Sequence, residues 1–526
     1  MNPRVITQIL AGNPLAAAFI AGTTPAGWYE PVPTDVGGWK ERVEATRREF
    51  APDGLDRLAP AFAATGRARQ RLDASAGGRG VVVTTGQQPG LFGGPVYTIS
   101  KALSALALAD ELQRAIGTPV APVFWAATDD TDFREASSTV IAVPGGAQLL
   151  RIDHTEALGR TMATMPLGDV SGQLDALMNA AGSTIDRAPL ELLQEYYTEG
   201  QTIGSAYVSL LRALFEPLGI AVLDASHELT RVAARPVLDQ ALRRSAAIST
   251  KIAERNREIE AAGFAPQVQD VPGLSLVFSN AGGSRRRIPI KAAGKQDGAG
   301  DIGPNVLLRP IMERAILPTA TYIGGPAEIA YFAQLGPIAE VLGAKRPAIV
   351  PRWSATIIEP HVEKILEKLY LLPEDFRDPH EVESRVARSF VPERVLQELE
   401  AAREQLEDRM DKLSDAVAQE PPTVSANVTG GLRANLLRRL DRFERRLLAA
   451  AKRQHADVMT EIGTVRGSLY PFGKPQERSI NFVPLLARYG PALRDDMLAE
   501  ARGHAQRIVV GAGVASEAAV STPVVS

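Results

Sequence analysis

Three groups of side chains in this sequence have the types and spacing to do chemistry. The first is Asp129-Asp130-Thr131-Asp132, with Glu135 just beyond. Clustered carboxylates can hold an amine, accept its proton, or bind Mg²⁺ beside a phosphate. The second is Thr85-Gly86-Gln87-Gln88 with Gly94, Tyr97 and Lys101. Its glutamines offer donors and acceptors, and its lysine is a point charge for an anion. The third brackets Gly324-Gly325-Pro326: Arg309 before it, Glu328 and Tyr331 after it, and Arg352 and Ser354 further on. Each group has a plainer rival reading. Asp130 or Asp132 could cap a helix, Lys101 could be a solvated surface residue, and Glu328 could merely favour a helix dipole. Three aspartates in four positions exceed what one cap needs, so a functional cluster is the reading taken.

The elements that must position these groups are legible around them. Val81–Val83 is a β-branched apolar run, followed by a Gly/Pro-rich turn and a helical pattern from about Val96 to Leu112. Such a strand, loop and helix form the first unit of a nucleotide-binding α/β sheet, where N–H groups at the helix start attract anions. The loop is neither a G-x-G-x-x-G fingerprint nor a Walker loop. Ile99, Leu103 and Leu106 share the expected core stripe, with Tyr97 and Lys101 roughly opposite. On that reading, Lys101→Ala weakens anion binding and leaves folding intact. Val120–Ala127 reads as a buried parallel strand ending at the aspartates. Leu218–Asp224 and Ala348–Ser354 read as further strands. Ala320–Ile323, Gly324-Gly325-Pro326 and Ala327–Leu335 repeat the strand, turn and helix logic. Ligands in open α/β sheets bind beyond the carboxyl ends of strands, which puts the three groups on one edge.

At 526 residues the chain is too long for one compact core. Its formal net charge of −3 gives no basic excess for nucleic acid or an anionic membrane. It has no cysteine, which excludes disulfides, thiolate catalysis and cysteine-ligated metals, and no metal site is read elsewhere. No apolar run reaches the roughly 18–20 residues of a membrane span, and Gly12-Asn13-Pro14 interrupts the one candidate for a leader. A cytoplasmic location is the expectation.

The remainder organises around this core. Residues 1–79 read as helical, with one amphipathic helix over about Trp39–Arg71, and about 150–300 as inserted connecting segments. A charged helix runs from about Glu228 to Ala262, the basic cluster Ser284–Arg287 beside Gly282-Gly283 could bind phosphate but reads rather as a solvated hairpin turn, and Lys291–Gly303 reads as a loop. From about residue 376 to 465 apolar residues recur at three and four: Leu399, Ala402, Leu406, Met410, Leu413 and Val417, then Leu432, Leu436, Leu440, Phe443, Leu447 and Ala450. A break at Glu420-Pro421-Pro422 makes this an antiparallel coiled-coil hairpin with arms of about 35–40 residues, or on the order of 50 Å. Such a hairpin has little to pack on within its own chain and suits a homodimer. Residues 466–526 return to the core, carry the polar cluster Tyr470, Lys474, Gln476, Glu477, Arg478 and Asn481, and end in a small polar tail read as disordered from about 511.

Five stretches in register, TTGQQPGLFGGPVYTISKA, PVFWAATDDTDFREA, NVLLRPIMERAILPTATYIGGPAEIAYFAQL, VPRWS and LYPFGKPQERSINF, resemble the bacillithiol biosynthesis cysteine-adding enzyme family known as BshC. The resemblance implies an α/β, Rossmann-like parallel-sheet core with inserted segments, reminiscent of class I aminoacyl-tRNA synthetases, plus a coiled coil that makes a dimer. It implies a ligase that joins the carboxylate of L-cysteine to the amine of glucosaminyl-malate, the last step of bacillithiol synthesis. The core pocket would be built from Gly86–Gln88, Tyr97, Lys101 and Asp129–Asp132, with the aspartates and Lys101 catalytic. A nucleotide such as ATP or ADP, with Mg²⁺ where phosphates need it, is associated with a second pocket near Tyr470–Asn481. Relatives often carry His where this chain has Thr131, and His or an aromatic residue where Ser100 stands, so no imidazole can act at either place here. Two other classes stay open on sequence: a synthetase-like nucleotidyltransferase or amide ligase acting on another amine, and a nucleotide-binding coiled-coil assembly protein. Polar residues at three strand ends favour an enzyme over the latter.

Overall fold

The computed structural model describes residues 2–10, 12–153, 159–281, 284–293, 300–419 and 426–511. The chain forms two compact units. The first comprises Met1–Ile141, Leu149–Glu359 and Gln476–Ser526, and the second Ala142–Gln148 and Pro360–Pro475.

Five parallel strands organise the first unit: β1 (Val81–Gln87), β2 (Val120–Ala126), β3 (Ala221–Asp224), β4 (Thr319–Gly324) and β5 (Ile349–Pro351). Across the sheet they run β3-β2-β1-β4-β5. That is the strand order of a doubly wound fold, with the direction of winding reversing between β1 and β4. β2 is buried at every residue, as its unbroken apolar run requires of a strand covered on both faces. β1 and β2 pair in register from Val81↔Val120 to Gln87↔Ala126, so their carboxyl ends finish level. Gly86 permits this closeness: a Cβ there would lie 2.9 Å from the Trp125 Cβ and carbonyl oxygen.

Three helices of this unit matter to the site. They are α1 (Val96–Ile116), α2 (Leu308–Ile316) and α3 (Pro326–Phe332). The repeated strand, Gly-Gly-Pro and helix pattern is present as β4, Gly324-Gly325 and α3. The face of α1 opposite its core stripe is not solvated, because the helix Val483–Val509 packs along it. Lys101 is only 4% exposed, its ammonium turned to the strand end and to Glu328. Within the covering helix, the His504 Nε2–H donates to the Pro351 carbonyl at the end of β5, at 2.9 Å. Burial, then the nearby Arg507 and Arg352 charges, push the imidazole down to about 4 despite that bond. The unfolded chain, with His near 6.5, takes up this proton first. Stability should fall as pH drops from about 6.5 towards 4, by about 3 kcal/mol in all. In His504→Gln the loss over that window should be smaller by that amount, as read from denaturant unfolding at pH 7 and pH 4.

Several sequence expectations are corrected here. The helix expected over Trp39–Arg71 is four, Val36–Glu49, Gly54–Arg57, Ala59–Phe62 and Gly66–Ser75, interrupted around Pro52, before Pro60 and at left-handed Ala63. Glu228–Arg243 and Ser245–Ala261 are separate helices. The N-terminal region also contributes a strand, Arg4–Thr7, antiparallel to Ala355–Ile358. The expected loop Lys291–Gly303 begins with a helical turn, Ile290–Ala293, and runs into the strand Ile302–Pro304. That strand and Arg286–Pro289 flank Leu274–Ser279 in a small antiparallel sheet.

The second unit holds the long helices α4 (Glu393–Gln419) and α5 (Ala426–Gln454). Arg403 pairs with Asp441 at 2.8 Å and Asp411 with Arg433 at 2.8 Å, which fixes them as antiparallel neighbours. The arms are 27 and 29 residues long, shorter than expected, or about 40 Å at 1.5 Å per residue. The chain breaks at Phe390–Pro392 before α4 and at His455 after α5. The expected proline break at 420–422 lies outside the described residues. Leu399 and Met410 are buried between the arms, Leu406, Leu436 and Leu440 are partly buried, and Leu413, Leu432 and Phe443 are exposed.

Candidate active site

The strand ends open into a cavity of about 320 Å³ at the point where the winding reverses. Of the residues singled out in the sequence, Gly86, Gln87, Gln88, Tyr97, Lys101, Asp129, Asp130, Glu135, Arg309, Gly325, Glu328, Tyr331, Arg352, Glu477 and Arg478 line it. The groups read at three separate places in the chain thus share one crevice. Thr85, Gly94, Asp132, Gly324 and Ser354 do not line it.

A continuous polar network forms the floor. Lys101 Nζ donates to the Gly86 carbonyl at 2.8 Å and to Gln87 Oε1 at 2.9 Å, and pairs with Glu328 at 2.7 Å. All three ammonium protons are thereby used. Glu328 also accepts from the Tyr322 hydroxyl at 2.6 Å and the Gly325 N–H at 2.7 Å. Burial would raise the Glu328 carboxyl, but the Lys101 charge and these hydrogen bonds outweigh it and hold it below its ordinary value. Burial lowers Lys101, and Glu328 offsets only part of that. Further along, Arg309 donates to Tyr331 at 3.0 Å and pairs with Glu313 at 2.7 Å. On the other side, Gln87 Nε2 donates to Glu135 at 3.1 Å and the Tyr97 hydroxyl donates to it at 2.9 Å. Burial raises the Glu135 carboxyl, with the Tyr97 hydrogen bond opposing.

The aspartate turn divides by role. Asp130 accepts from the Thr131 and Asp132 N–H groups, at 2.6 and 2.8 Å. Asp132 accepts from the Glu135 N–H at 3.1 Å and caps the short helix Phe133–Ala136. Asp132 thus fills the capping role that the sequence also offered, and it does not line the cavity. Asp129 faces the cavity beside Arg285, at 3.8 Å. Burial raises the Asp129 carboxyl, and the Arg285 charge restrains that rise. A carboxylate raised by burial in a cleft is a candidate proton acceptor.

Arg285, in the basic cluster for which the solvated reading was preferred, lines the cavity. It immediately precedes the strand Arg286–Pro289 of the small antiparallel sheet and donates to the Asp129 and Pro304 carbonyls. Its guanidinium also sits 4.5 Å from the centre of the Phe278 ring. The expected hairpin is present, but its first arginine is buried rather than solvated. The signal available was three consecutive arginines beside a Gly-Gly turn, more than a solvated turn needs. Trp125, Asn305 and Tyr322 also line the cavity and carried no distinct signal.

Gln476, Glu477 and Asn481, first-unit members of the polar cluster near residue 476, make buried contacts. Gln476 hydrogen-bonds both the N–H and the carbonyl of Ile357, at 2.7 and 2.8 Å. Glu477 makes a two-pronged pair with Arg352 at 2.8 and 2.6 Å and accepts from Ser354 at 2.8 Å. Asn481 donates to the Leu91 and Phe92 carbonyls and accepts from the Val483 N–H, holding Phe92 in its left-handed conformation. Tyr470 and Lys474 belong to the second unit. Within the first unit, Gln476, Glu477 and Asn481 thus tie the returning chain to the sheet and its first loop, and Glu477 and Arg478 line the central cavity.

Four N–H groups of the glycine loop and helix start are taken up within the fold. The N–H groups of Gly93, Gly94, Val96 and Thr98 donate to Gly90, Leu91, Ile480 and Pro95 carbonyls. Among the described residues, no group of three or more His, Asp or Glu side chains could hold a metal ion. Ser100, where relatives were expected to carry a ring, is fully buried with its hydroxyl on the Val96 carbonyl.

Two family models match the chain in order. That for the BshC N-terminal Rossmann-like domain covers residues 24–297 and 293–353. That for the BshC C-terminal coiled-coil domain covers 355–510. A Koribacter versatilis protein is 32% identical over 91% of this chain and 90% of its own. A Solibacter usitatus protein is 31% identical over 78% and 80%, and one from Salinibacter ruber 30% over 82% and 82%. All three carry the name "Putative cysteine ligase BshC". The parallel sheet, the helical hairpin and these matches along most of both sequences agree: the chain belongs to the BshC family.

Proposed function

We propose that this protein is the ligase that adds L-cysteine to the amine of glucosaminyl-malate, completing bacillithiol. The carrying observation is the crevice at the winding switch, where Asp129, raised by burial, stands in a cavity floored by a fully paired polar network. The acceptor amine is an ammonium at neutral pH and must lose a proton to attack. Asp129 accepts that proton as the C–N bond forms and the activated oxygen leaves the cysteine carbon. The network keeps Tyr97, Gln87 and Lys101 in fixed rotamers, so the reactants meet a rigid wall. No step of this reading runs through the glycine loop. An amide from a carboxylate nonetheless needs an activated acyl donor, so the test supplies ATP and Mg²⁺ in one arm and omits both in the other. Purified protein, labelled cysteine and glucosaminyl-malate should give the labelled amide in at least one arm. Absence of the amide from both arms, with folded protein, would refute the reading.

The reading extends to a cytoplasmic homodimer. The partly buried Leu406, Leu436 and Leu440 and the exposed Leu413, Leu432 and Phe443 leave apolar surface along the hairpin that a second copy would cover. Leu406→Asp with Leu440→Asp should convert the dimer to monomer, since a buried unpaired charge is costly. Sedimentation of a wild-type monomer at micromolar concentration would contradict this.

A further inference from the structure

The ion pairs around the cavity are not built alike. Lys101 with Glu328, Arg309 with Glu313 and Arg352 with Glu477 meet at 2.7, 2.7 and 2.6 Å, within hydrogen-bond distance. Arg285 and Asp129 stand 3.8 Å apart, so the guanidinium faces the carboxylate without a direct bond to it. Its N–H groups go instead to two carbonyls, those of Asp129 and of Pro304 at the end of the strand Ile302–Pro304. The side chain is 7% exposed and lies against the Phe278 ring of the middle strand, Leu274–Ser279. The Arg285 backbone N–H donates to the Gly159 carbonyl at 2.7 Å, so the residue is anchored at both ends.

The turn that Arg285 grips is held at three successive carbonyls. Thr128 and Asp130 accept from the Ala163 and Met162 N–H groups, each at 2.9 Å. Asp129, between them, accepts from the Arg285 side chain. The backbone of 162–163 thus fixes the flanks of the turn, and Arg285 fixes the residue whose carboxylate lines the cavity. We propose that Arg285 is the positioning residue of Asp129: it holds Asp129 by the main chain and sets a positive charge beside its carboxylate, yet leaves the hydrogen bonds of that carboxylate to the acceptor amine. The inference rests on the ligase reading for Asp129 as the proton acceptor. A buried carboxylate with no cation beside it would keep its proton, and one bonded directly to arginine would be a poor base. The 3.8 Å spacing lies between those cases. The small antiparallel sheet, whose Phe278 and Pro304 hold the guanidinium, then belongs to the catalytic apparatus.

The test uses the full-length wild type, Arg285→Gln, Arg285→Lys and Arg287→Gln. Arg287 donates to the Ser275 carbonyl within the same small sheet, at 2.9 Å, and does not line the cavity, so its variant controls for loosening of the sheet. The first readout is the titration of the Asp129 carboxyl, followed by NMR of protein labelled at the aspartate side-chain carboxyls and identified by its absence from Asp129→Asn. Burial raises this carboxyl, Arg285 opposes the rise, and Asp130 and Arg309 are the other charges acting on it. The titration should therefore move to higher pH in Arg285→Gln and stay nearer to wild type in Arg285→Lys and Arg287→Gln. The second readout is the pH–rate profile of ligation, taken where unfolding curves show each variant folded. In Arg285→Gln its rise should move by the same interval, and the limiting kcat should fall about tenfold or more, with a smaller change in KM. Arg285→Lys should recover the pH position but only part of kcat, because an ammonium lacks the fork that reaches two carbonyls. Asp129 titrating at the wild-type pH in Arg285→Gln would overturn the inference, as would equal losses of rate in Arg285→Gln and Arg287→Gln. If the titration moves but wild type makes no amide, the hold on Asp129 stands and the ligase reading falls. If Arg285→Gln ligates with the wild-type rate and pH profile while Asp129→Asn does not, the inference falls and the ligase reading stands.

Discussion

Lys101→Met should destabilise the protein by about 3–5 kcal/mol, the usual result of removing one partner from a buried ion pair. The variant leaves the Glu328 carboxylate buried with no cation at 2.7 Å and orphans the Gly86 carbonyl and Gln87 amide oxygen. The expectation drawn from sequence, that losing Lys101 would weaken a ligand and leave folding intact, is revised by this burial. The double variant Lys101→Met, Glu328→Gln should recover much of the loss, because no uncompensated charge is then left inside. Denaturant unfolding of wild type, the two single variants and the double variant closes the cycle. Equal stability of Lys101→Met and wild type would mean that the pair does not form.

Asp129→Asn should lower ligation by about 10²–10⁴-fold, the range for loss of a positioned general base. Asparagine keeps the shape and cannot take a proton at neutral pH. The pH profile should also change. Burial raises the Asp129 carboxyl, so wild-type activity should climb with pH through a value above that of an ordinary aspartate and then level. The variant's residual activity should lack that rise. Asp132→Asn is the matching control. Asparagine caps a helix as well as aspartate does, and position 132 lies outside the cavity lining, so rate and stability should both stay near wild type.

The parts of the fold legible in sequence were those where one physical rule acts alone. Val120–Ala126 could only be a strand buried on both faces, and Gly324-Gly325-Pro326 could only turn a strand into a helix. The rule that ligands gather at strand carboxyl ends then brought Gln87, Asp129, Glu328 and Arg352 to one edge, and all four line the cavity. What stayed hidden depends on partners far along the chain. Lys101 was read as an anion-holding or solvated lysine because nothing near it announces Glu328, 227 positions on, as its buried partner. Arg285 looked like a turn residue because the Asp129 and Pro304 carbonyls that bury it lie 156 and 19 positions away. The buried contacts of Glu477 and Asn481 were not legible because a buried pair to Arg352 and an exposed ligand contact use the same residue types.

The central claim is that the crevice at the winding switch makes the amide of bacillithiol. Its most direct measurement is the thiol content of a strain lacking this gene, supplied in turn with the wild-type, Asp129→Asn and Asp132→Asn forms at matched protein levels. The account predicts bacillithiol restored by wild type and Asp132→Asn, with glucosaminyl-malate accumulating behind Asp129→Asn. Full bacillithiol with Asp129→Asn, or none with wild type, would contradict it.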